Sequence, residues 1–222
     1  MTAGTPVLTG YRHSVYTRAA LIALVEKGVT YRYAEHDPFE PGAVGPHPFG
    51  RVPALIHEGF ALYETAAITD YIDRAFDGPS LMPETPQAAA RVTQVIGIVD
   101  AYAYWPLVRQ VYSHAVFMPA MGEVASTETL GAGLRAAPRV LAALETIAAE
   151  RLALAGRVTR ADCHLAPMIA AFAMTPEGAE ILTGFPALSS WWKSIRNRDS
   201  LRATAVPLPA ARSEQPQAGP VP

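Results

Sequence analysis

Hydroxyl side chains cluster where an apolar run meets the first helical pattern of the chain. Ser14 follows the run Val7–Tyr11 and precedes TRAALIALVEKG, residues 17–28. A hydroxyl donor at a helix N-terminus stabilises an anion, because the free backbone N–H groups and the helix dipole act in the same direction. A thiolate, formed from a thiol whose free pKa is about 8.5, is a nucleophile that such a position favours. Ser14 is therefore a candidate activating residue for a bound thiol.

This region also allows other interpretations. Tyr11 lies at the end of the strand pattern and Tyr16 lies in the first helical turn, so either hydroxyl is a rival to Ser14. Ser14 is equally suited to be a plain N-cap, with Thr17 at the third helical position. No cysteine occurs here, which excludes a cysteine nucleophile from this segment.

A second chemical feature is the stretch HPFGRVPAL, residues 47–55, which includes Arg51. Pro53 precedes a strand pattern, so it lies at the edge of a ladder or in a turn. A cis Val52–Pro53 bond would turn the backbone N–H and C=O of Val52 outward, towards a peptide ligand. A trans proline that merely opens a strand is the more frequent arrangement for a single X–Pro bond.

Glu64 and Thr65 stand at a predicted strand-to-helix junction. The free N–H groups of a helix start favour an α-carboxylate, and the Glu64 carboxylate is suited to the ammonium group of the same amino acid. The alternative is that Glu64 or Thr65 serves as a helix cap and nothing more.

The elements that position these residues alternate between strand and helix. Apolar residues from Ala20 to Val25 have helical spacing, and Gly28 stands where a helix C-cap belongs. A strand at Val29–Tyr33 completes a strand–helix–strand unit, which requires a parallel pair. The later predicted elements are a Pro/Gly-rich loop at 35–50, a hairpin of Ala54–His57 and Ala61–Tyr63, and a helix from Glu64 to about Ala75. This order predicts a thioredoxin-like domain.

The second half of the chain is predicted to be helical throughout. Ala-, Leu- and Val-rich stretches cover about 87–118, 127–155, 160–174 and 186–198. The fold class is α+β, an N-terminal thioredoxin-like domain followed by an all-α helical bundle. The predicted boundaries are 1–78 for the first domain, 79–86 for a proline-rich linker, 87–205 for the helical domain and 206–222 for a Pro-rich, disordered tail.

A capping box marks one helix of this second half. Thr159 and Asp162 have the spacing at which each side chain accepts from the backbone N–H of the other. Val158 and Cys163 occupy the flanking positions of a hydrophobic staple. Cys163, the single cysteine of the chain, is therefore interpreted as a small buried apolar residue.

Composition excludes several classes of function. The net charge is −2, from 18 basic and 20 acidic residues, and no dense Lys/Arg run suggests nucleic acid or an anionic membrane as a partner. No apolar run reaches about 18 residues, so no membrane helix is expected. No secretory signal is evident, so the expected location is cytoplasmic. The histidines lack metal-ligand spacing, and no metal site is predicted.

These segments together resemble the cytosolic glutathione transferase superfamily, and the position of Ser14 is similar to that in Ser-type bacterial members. In that family a PFG-[KRQ]-VP-A-L stretch, a hairpin and a Glu-Ser pair form most of the glutathione site. The residues that match are Arg51, Val52, Pro53, Glu64 and Thr65, with Thr in place of Ser. The resemblance implies that Val52 pairs with the cysteinyl part of glutathione and that Glu64 and Thr65 hold the γ-glutamyl end. His36 and His47 are candidates for a further contact from the loop.

The resemblance implies a transferase that conjugates the thiolate of its co-substrate glutathione to a small apolar electrophile, a detoxification reaction of homodimeric proteins. A glutathione-dependent isomerase, reductase or peroxidase, or a non-catalytic binding or regulatory protein of the same fold, are the alternatives. The electrophile is expected between the domains. The predicted acceptor pocket consists of Tyr11, Tyr102, Trp105, Arg109 and Tyr112, although an aromatic stripe at helical spacing is more often core.

Overall fold

The computed structural model of the chain describes residues 4–209. The strands are β1 (Val7–Gly10), β2 (Arg32–Glu35), β3 (Ala54–His57) and β4 (Phe60–Tyr63). The helices are α1 (Val15–Glu26), α2 (Thr65–Ala75), α3 (Pro86–Ile98), the π segment (Val99–Phe117, a π-helix), α4 (Met118–Ala120), α5 (Thr127–Glu150), α6 (Arg160–Phe172), α7 (Pro176–Thr183), α8 (Pro186–Ile195) and α9 (Asp199–Ala203).

The four described strands form a single sheet in the order β2-β1-β3-β4. Strand β1 runs parallel to β2 and antiparallel to β3, and β3 and β4 form a hairpin. Gly59 completes the hairpin turn with φ of 81°, a conformation that glycine adopts without steric cost. This topology, with α1 between the parallel strands, confirms the predicted thioredoxin-like domain.

Strand β2 begins later than predicted, at Arg32 rather than Val29. The reason is the end of α1, where Gly28 has φ of 70°. The N–H of Gly28 donates to the carbonyl of Val25, and the N–H of Val29 donates to the carbonyl of Leu24. Both bonds belong to a Schellman motif, which uses the backbone of Val29 to close the helix. The chain is therefore free to enter the sheet only after this residue.

The second half is helical, as predicted, but its segments differ from the predicted ones. Helix α7, capped by Thr175, falls in a gap between two predicted helices. Helix α5 ends at Glu150 rather than at residue 155, because Arg151 adopts a left-handed conformation with φ of 58°. The predicted helix at 186–198 ends at Ile195 as α8, and a further short helix, α9, begins at Asp199, beyond the predicted segment.

The predicted helix at 87–118 changes its winding partway along its length. Residues 86–98 are α-helical, whereas the π segment hydrogen-bonds each residue to the fifth before it, as Met118 N–H does to the carbonyl of Ser113. Pro106 lies within the π segment. A wider helix rotates its side chains differently from an α-helix, so residues four to five apart share a face there.

Helix α6 lies at the centre of the helical domain and is buried along nearly its whole length. The Asp162 carboxylate accepts from the Thr159 N–H at 2.7 Å and from the Thr159 hydroxyl at 2.6 Å, and the capping box is present. Cys163 is fully buried, and burial raises the pKa of its thiol well above the ordinary value. The structural interpretation of Cys163 is confirmed.

Buried polar contacts join the predicted linker to the thioredoxin-like domain. Lys27, at the end of α1, donates to the carbonyl of Asp73 at 3.0 Å and pairs with its carboxylate at 3.3 Å. That carboxylate also accepts the N–H of Leu81, in the predicted linker, at 2.7 Å.

Residues 206–209 of the predicted tail have no regular structure, and residues 210–222 lie outside the described residues. Across residues 4–209, no helix has the length and apolar character needed to cross a membrane.

Candidate functional site

A cleft of about 480 Å³ separates the thioredoxin-like domain from the π segment. One wall is formed by the start of α1 and the loops before it and before β3. The other wall is one face of the π segment. The lining residues are Tyr11, His13, Ser14, Val15, Tyr16, Pro38, Phe39, Gly50, Arg51, Val52, Tyr104, Trp105, Val108, Arg109, Tyr112, Ser113 and Phe117.

Ser14 is the N-cap of α1 and also part of the cleft wall. Its side-chain oxygen accepts the N–H of Thr17 at 3.2 Å, and its own N–H donates to the carbonyl of Tyr11 at 2.9 Å. The capping bond uses a lone pair of the hydroxyl and leaves its proton available. The same group can therefore cap the helix and donate a hydrogen bond to a ligand in the cleft.

Val52 lies just before β3, a central strand of the sheet, and presents its backbone beyond the start of that strand. The Val52–Pro53 peptide bond is cis, which is the less frequent of the two arrangements considered from the sequence. Neither backbone group of Val52 has a hydrogen-bond partner within residues 4–209. Both Val52 and Arg51 line the cleft, whereas Pro53 is buried beneath them. An extended peptide can pair with this backbone as an added strand does.

The start of α2 lies near this backbone. Glu64 occupies the N-cap position with φ of 67° and ψ of 118°, and its side chain makes no capping bond. Thr65 follows as a buried first residue of the helix. Because no side chain of the described residues caps α2, its first N–H groups suit a carboxylate of a bound ligand.

His47 is buried behind Glu64. Its Nδ1 accepts the N–H of Phe49 at 3.2 Å, so the neutral ring carries its proton on Nε2, which lies 3.7 Å from the Glu64 carboxylate. Desolvation lowers the pKa of His47, against a smaller raising effect of Glu64. His47 is therefore placed to orient the Glu64 side chain. His36 packs over Gly45 in the same loop.

Aromatic rings run across the cleft from one domain to the other. Phe39 lies 6.0 Å from Tyr11, and Tyr11 lies 5.2 Å from His13, between ring centroids. His13 in turn lies 5.5 Å from Phe117, which lies 6.1 Å from Tyr112. The row gives the cleft a largely apolar wall, on which a flat ligand can stack.

Tyr16 packs against the π segment. Its ring lies 4.9 Å from that of Tyr104, between centroids, and its hydroxyl interacts with the carboxylate of Asp100. Burial, reinforced by the Asp100 charge, raises the pKa of Tyr16 far above its ordinary value. The phenol therefore stays protonated, with its donor directed at a carboxylate.

Three of the four residues predicted on the helical wall line the cleft, namely Trp105, Arg109 and Tyr112. Tyr102 does not line it, and 65% of its surface is exposed. The π winding explains the difference, because lining positions recur as 104–105, 108–109, 112–113 and 117 rather than at α-helical spacing. Sequence reasoning missed Phe39, Tyr104, Val108 and Phe117. No local pattern marks them, since they meet only through the packing of the two domains.

A metal centre is not part of this arrangement. Within residues 4–209 no three His, Cys, Asp or Glu side chains are grouped so that they could hold a metal ion.

The fold and the cleft define a thioredoxin-like protein with an attached helical domain and a cleft between them. Comparison with known proteins gives the family. The N-terminal domain model of the glutathione S-transferases matches residues 8–80, and their C-terminal domain model matches residues 108–199. The chain belongs to the glutathione transferase superfamily.

Relatives agree with this assignment. The chain is 28% identical to glutathione S-transferase F10 of Arabidopsis thaliana over 191 residues, which cover 82% of this chain and 88% of the relative. Among solved structures, glutathione S-transferase III in its apo form superposes with a TM-score of 0.80 at 24% identity, covering 93% of this chain and 99% of the other. Glutathione S-transferase I with bound lactoylglutathione gives 0.78 at 24% identity, with coverages of 90% and 98%.

Proposed function

We propose that this chain is a glutathione transferase that uses Ser14 to activate the thiol. The observation that carries the proposal is the position of Ser14, whose hydroxyl caps α1 and lines the cleft shared with Val52. Glutathione is the co-substrate and lies along the backbone of Val52, just before β3. A small electrophile enters the same cleft from the side of the π segment.

Glutathione binding divides between two backbone features. The cysteinyl unit pairs with the unpartnered backbone groups of Val52. The γ-glutamyl carboxylate caps α2 at Thr65, and Glu64, whose carboxylate lies 3.7 Å from Nε2 of His47, takes the ammonium group. Arg51 adds positive charge to this side of the cleft, which suits a co-substrate that is an anion.

Activation of the thiol follows from the start of α1. The Ser14 hydroxyl donates to the sulfur, and together with the helix dipole it stabilises the thiolate relative to the thiol. The sulfur then attacks the electrophile, a sulfur–carbon bond forms, and the leaving group departs with the bonding electrons. Solved relatives that hold lactoylglutathione or an atrazine glutathione conjugate support this type of occupant.

The test is Ser14→Ala, with Ser126→Ala as the matched control. Both serines cap a helix, since Ser126 accepts the N–H of Thr129 at 3.1 Å, so both variants lose about 1 kcal/mol of stability. Only Ser14→Ala should raise the pKa of the bound thiol and lower the conjugation rate, by about 100-fold or less. Tyr16→Phe should leave that pKa unchanged, because its hydroxyl is bound to Asp100. An unchanged thiol pKa in Ser14→Ala would contradict the assignment.

Retention on immobilised glutathione separates this function from a non-catalytic role. A chain that fails to bind glutathione is a binding or regulatory protein that has kept the fold. A chain that binds glutathione but conjugates no electrophile points to an isomerase, reductase or peroxidase, for which reduction of a peroxide by glutathione is the direct assay.

The remaining assignments belong to the same proposal. The domains are 1–78 and 87–205, joined by 79–86, and the protein is a cytoplasmic, detoxifying homodimer. An apolar surface depression formed by Phe60, Leu62 and Tyr71 supports a dimer, since Phe60 is 51% exposed there. Light scattering of Phe60→Ser against the parent chain tests it, and a monomeric parent would refute it.

A further inference from the structure

We infer that the acceptor of this enzyme is an aromatic electrophile that carries an acidic group, such as a carboxylate or sulfonate, and that Arg109 recognises that group. The inference rests on the proposed transferase function and specifies its second substrate. It departs from the purely apolar acceptor that the sequence suggests.

The first observation is the charge of the cleft. Among the described residues, its lining contains two arginines, Arg51 and Arg109, and no aspartate or glutamate, although acidic residues outnumber basic ones in the whole chain. Neither guanidinium has a hydrogen-bond or salt-bridge partner among residues 4–209. Most other arginines near the domain boundary, such as Arg160 and Arg198, are paired.

The two arginines face different parts of the cleft. Arg51 lies next to Val52, just before β3. Its positive charge acts to lower the pKa of Tyr16 and that of His47. It therefore belongs to the glutathione side. Arg109 lies on the opposite wall, within the π segment, between Trp105 and Tyr112 along the lining face.

The surroundings of Arg109 decide what it can bind. The aromatic row from Phe39 to Tyr112 offers flat apolar surface beside an unpaired cation. Arg109 is itself exposed, so solvent partly screens its attraction for an anion, and selectivity has to come from paired hydrogen bonds together with a ring stacked beside it. A planar guanidinium also pairs with a carboxylate through two parallel hydrogen bonds. A ring with an acidic substituent satisfies both features at once, whereas an uncharged ring leaves the cation without a partner.

The acidic groups nearby do not fill this role. Asp37 accepts the N–H of Phe39 in its own loop, and Glu35 pairs with Arg12 at 3.0 Å. Both act on the imidazole of His13 from the outer rim. Asp100 is bound to Tyr16. Within residues 4–209, Arg109 is thus the cation on the acceptor side that is available to a ligand.

The experiment compares two acceptors that differ in one group, a chloronitrobenzoate and the corresponding chloronitrobenzamide. Each conjugation rate is divided by the uncatalysed rate with glutathione, which removes the difference in intrinsic reactivity. In the parent chain we expect the corrected kcat/KM to be higher for the benzoate than for the benzamide. Arg109→Gln should lower kcat/KM for the benzoate by about ten-fold and that for the benzamide by less than about two-fold.

Two further variants make the result specific. Arg109→Lys keeps the charge and should retain part of the preference. Arg139→Gln, an exposed arginine on α5 outside the cleft, removes the same charge from the protein and should leave the ratio unchanged. An equal loss for both acceptors, or a ratio unaffected by Arg109→Gln, would overturn the inference. So would a raised KM for glutathione with both acceptors, because Arg109 would then serve the co-substrate.

The outcomes are separable from those of the proposed function. If the parent chain conjugates neither acceptor and is not retained by immobilised glutathione, the transferase function is wrong. If it conjugates the benzamide well and shows no preference for the benzoate, the transferase function stands and the acidic acceptor is wrong.

Discussion

The guanidinium of Arg160 donates to the carbonyl oxygen of Ala66 at 2.7 Å, across the boundary between the two domains. Arg160 is the first residue of α6, and Ala66 lies in the first turn of α2. The same side chain pairs with Asp70, and His164 of α6 lies 3.0 Å from the hydroxyl of Thr69. The core helix of one domain therefore fixes the helix start that is proposed to hold the γ-glutamyl end of glutathione.

Replacement of Arg160 by methionine should loosen this junction. The side chain is nearly buried, and its loss removes one donor from the Ala66 carbonyl and one from the Asp70 carboxylate, so we expect a loss of about 2–3 kcal/mol in the free energy of unfolding. The KM for glutathione should rise several-fold. Arg74→Met is the matched control because Arg74 pairs with the same Asp70 but is 76% exposed, and it should cost less than about 0.5 kcal/mol. Urea denaturation measures both, and equal losses would contradict the prediction.

Asp162→Ala should destabilise the chain more than the loss of a helix cap does. The buried carboxylate accepts from the backbone and hydroxyl of Thr159 and from the Trp191 indole N–H at 2.6 Å. Three donors lose their acceptor in the variant, and we expect a cost of about 3 kcal/mol or more. Asp199→Ala, in the first turn of α9 with a side chain 91% exposed, should stay within about 0.5 kcal/mol. Unchanged thermal stability of Asp162→Ala would refute the role of the box.

His164 should make stability depend on pH below the neutral range. It is fully buried, and burial lowers its pKa to about 3. In the unfolded chain the imidazole takes up a proton as the pH falls below about 6.5, whereas in the folded protein it stays neutral down to about pH 3. Stability is therefore lost as the pH falls through this window, by about 2 kcal/mol between pH 7 and pH 5.

The comparison with His164→Gln isolates this contribution. Thr69 donates its hydroxyl proton to the carbonyl of Ala66, so His164 donates from Nε2 to the Thr69 oxygen, a bond that an amide can replace. The stability difference between parent and variant, measured by denaturant titration at several pH values, should shrink as the pH falls. A difference that is constant with pH would show that His164 does not titrate in this way.

Glu64→Gly should separate backbone strain from ligand binding. A non-glycine residue with φ of 67° and ψ of 118° is strained, so glycine should stabilise the fold by about 1 kcal/mol. The variant should also bind glutathione more weakly, because the carboxylate for the ammonium group is lost. Arg151→Gly, with φ of 58° at the end of α5, should be stabilising without this loss. Calorimetric titration with glutathione is the measurement, and undiminished affinity in Glu64→Gly would contradict the assigned role.

Local sequence was enough to predict the features whose hydrogen bonds close within a few residues. The Thr159–Asp162 box, the Gly28 helix end and the hairpin were all predicted and are present. Features were predicted less well where two structures can use the same backbone groups, or where the type of helix had to be assumed. Strand β2 was placed too early because the Schellman motif uses Val29, and Tyr102 was assigned to the cleft because α-helical spacing was assumed for the π segment.

The sequence by itself determined the α+β architecture and the segments that form the sheet and the helix starts, since turn residues, caps and hydrophobic periodicity act over short distances. Tertiary structure alone decided which side chains meet. Arg160 reaches Ala66, Trp191 reaches Asp162 and Arg109 faces the cleft only when the domains pack, because these partners are 29 or more residues apart or lie on opposite walls. Such pairings depend on the orientation of whole helices, which no short stretch of sequence specifies.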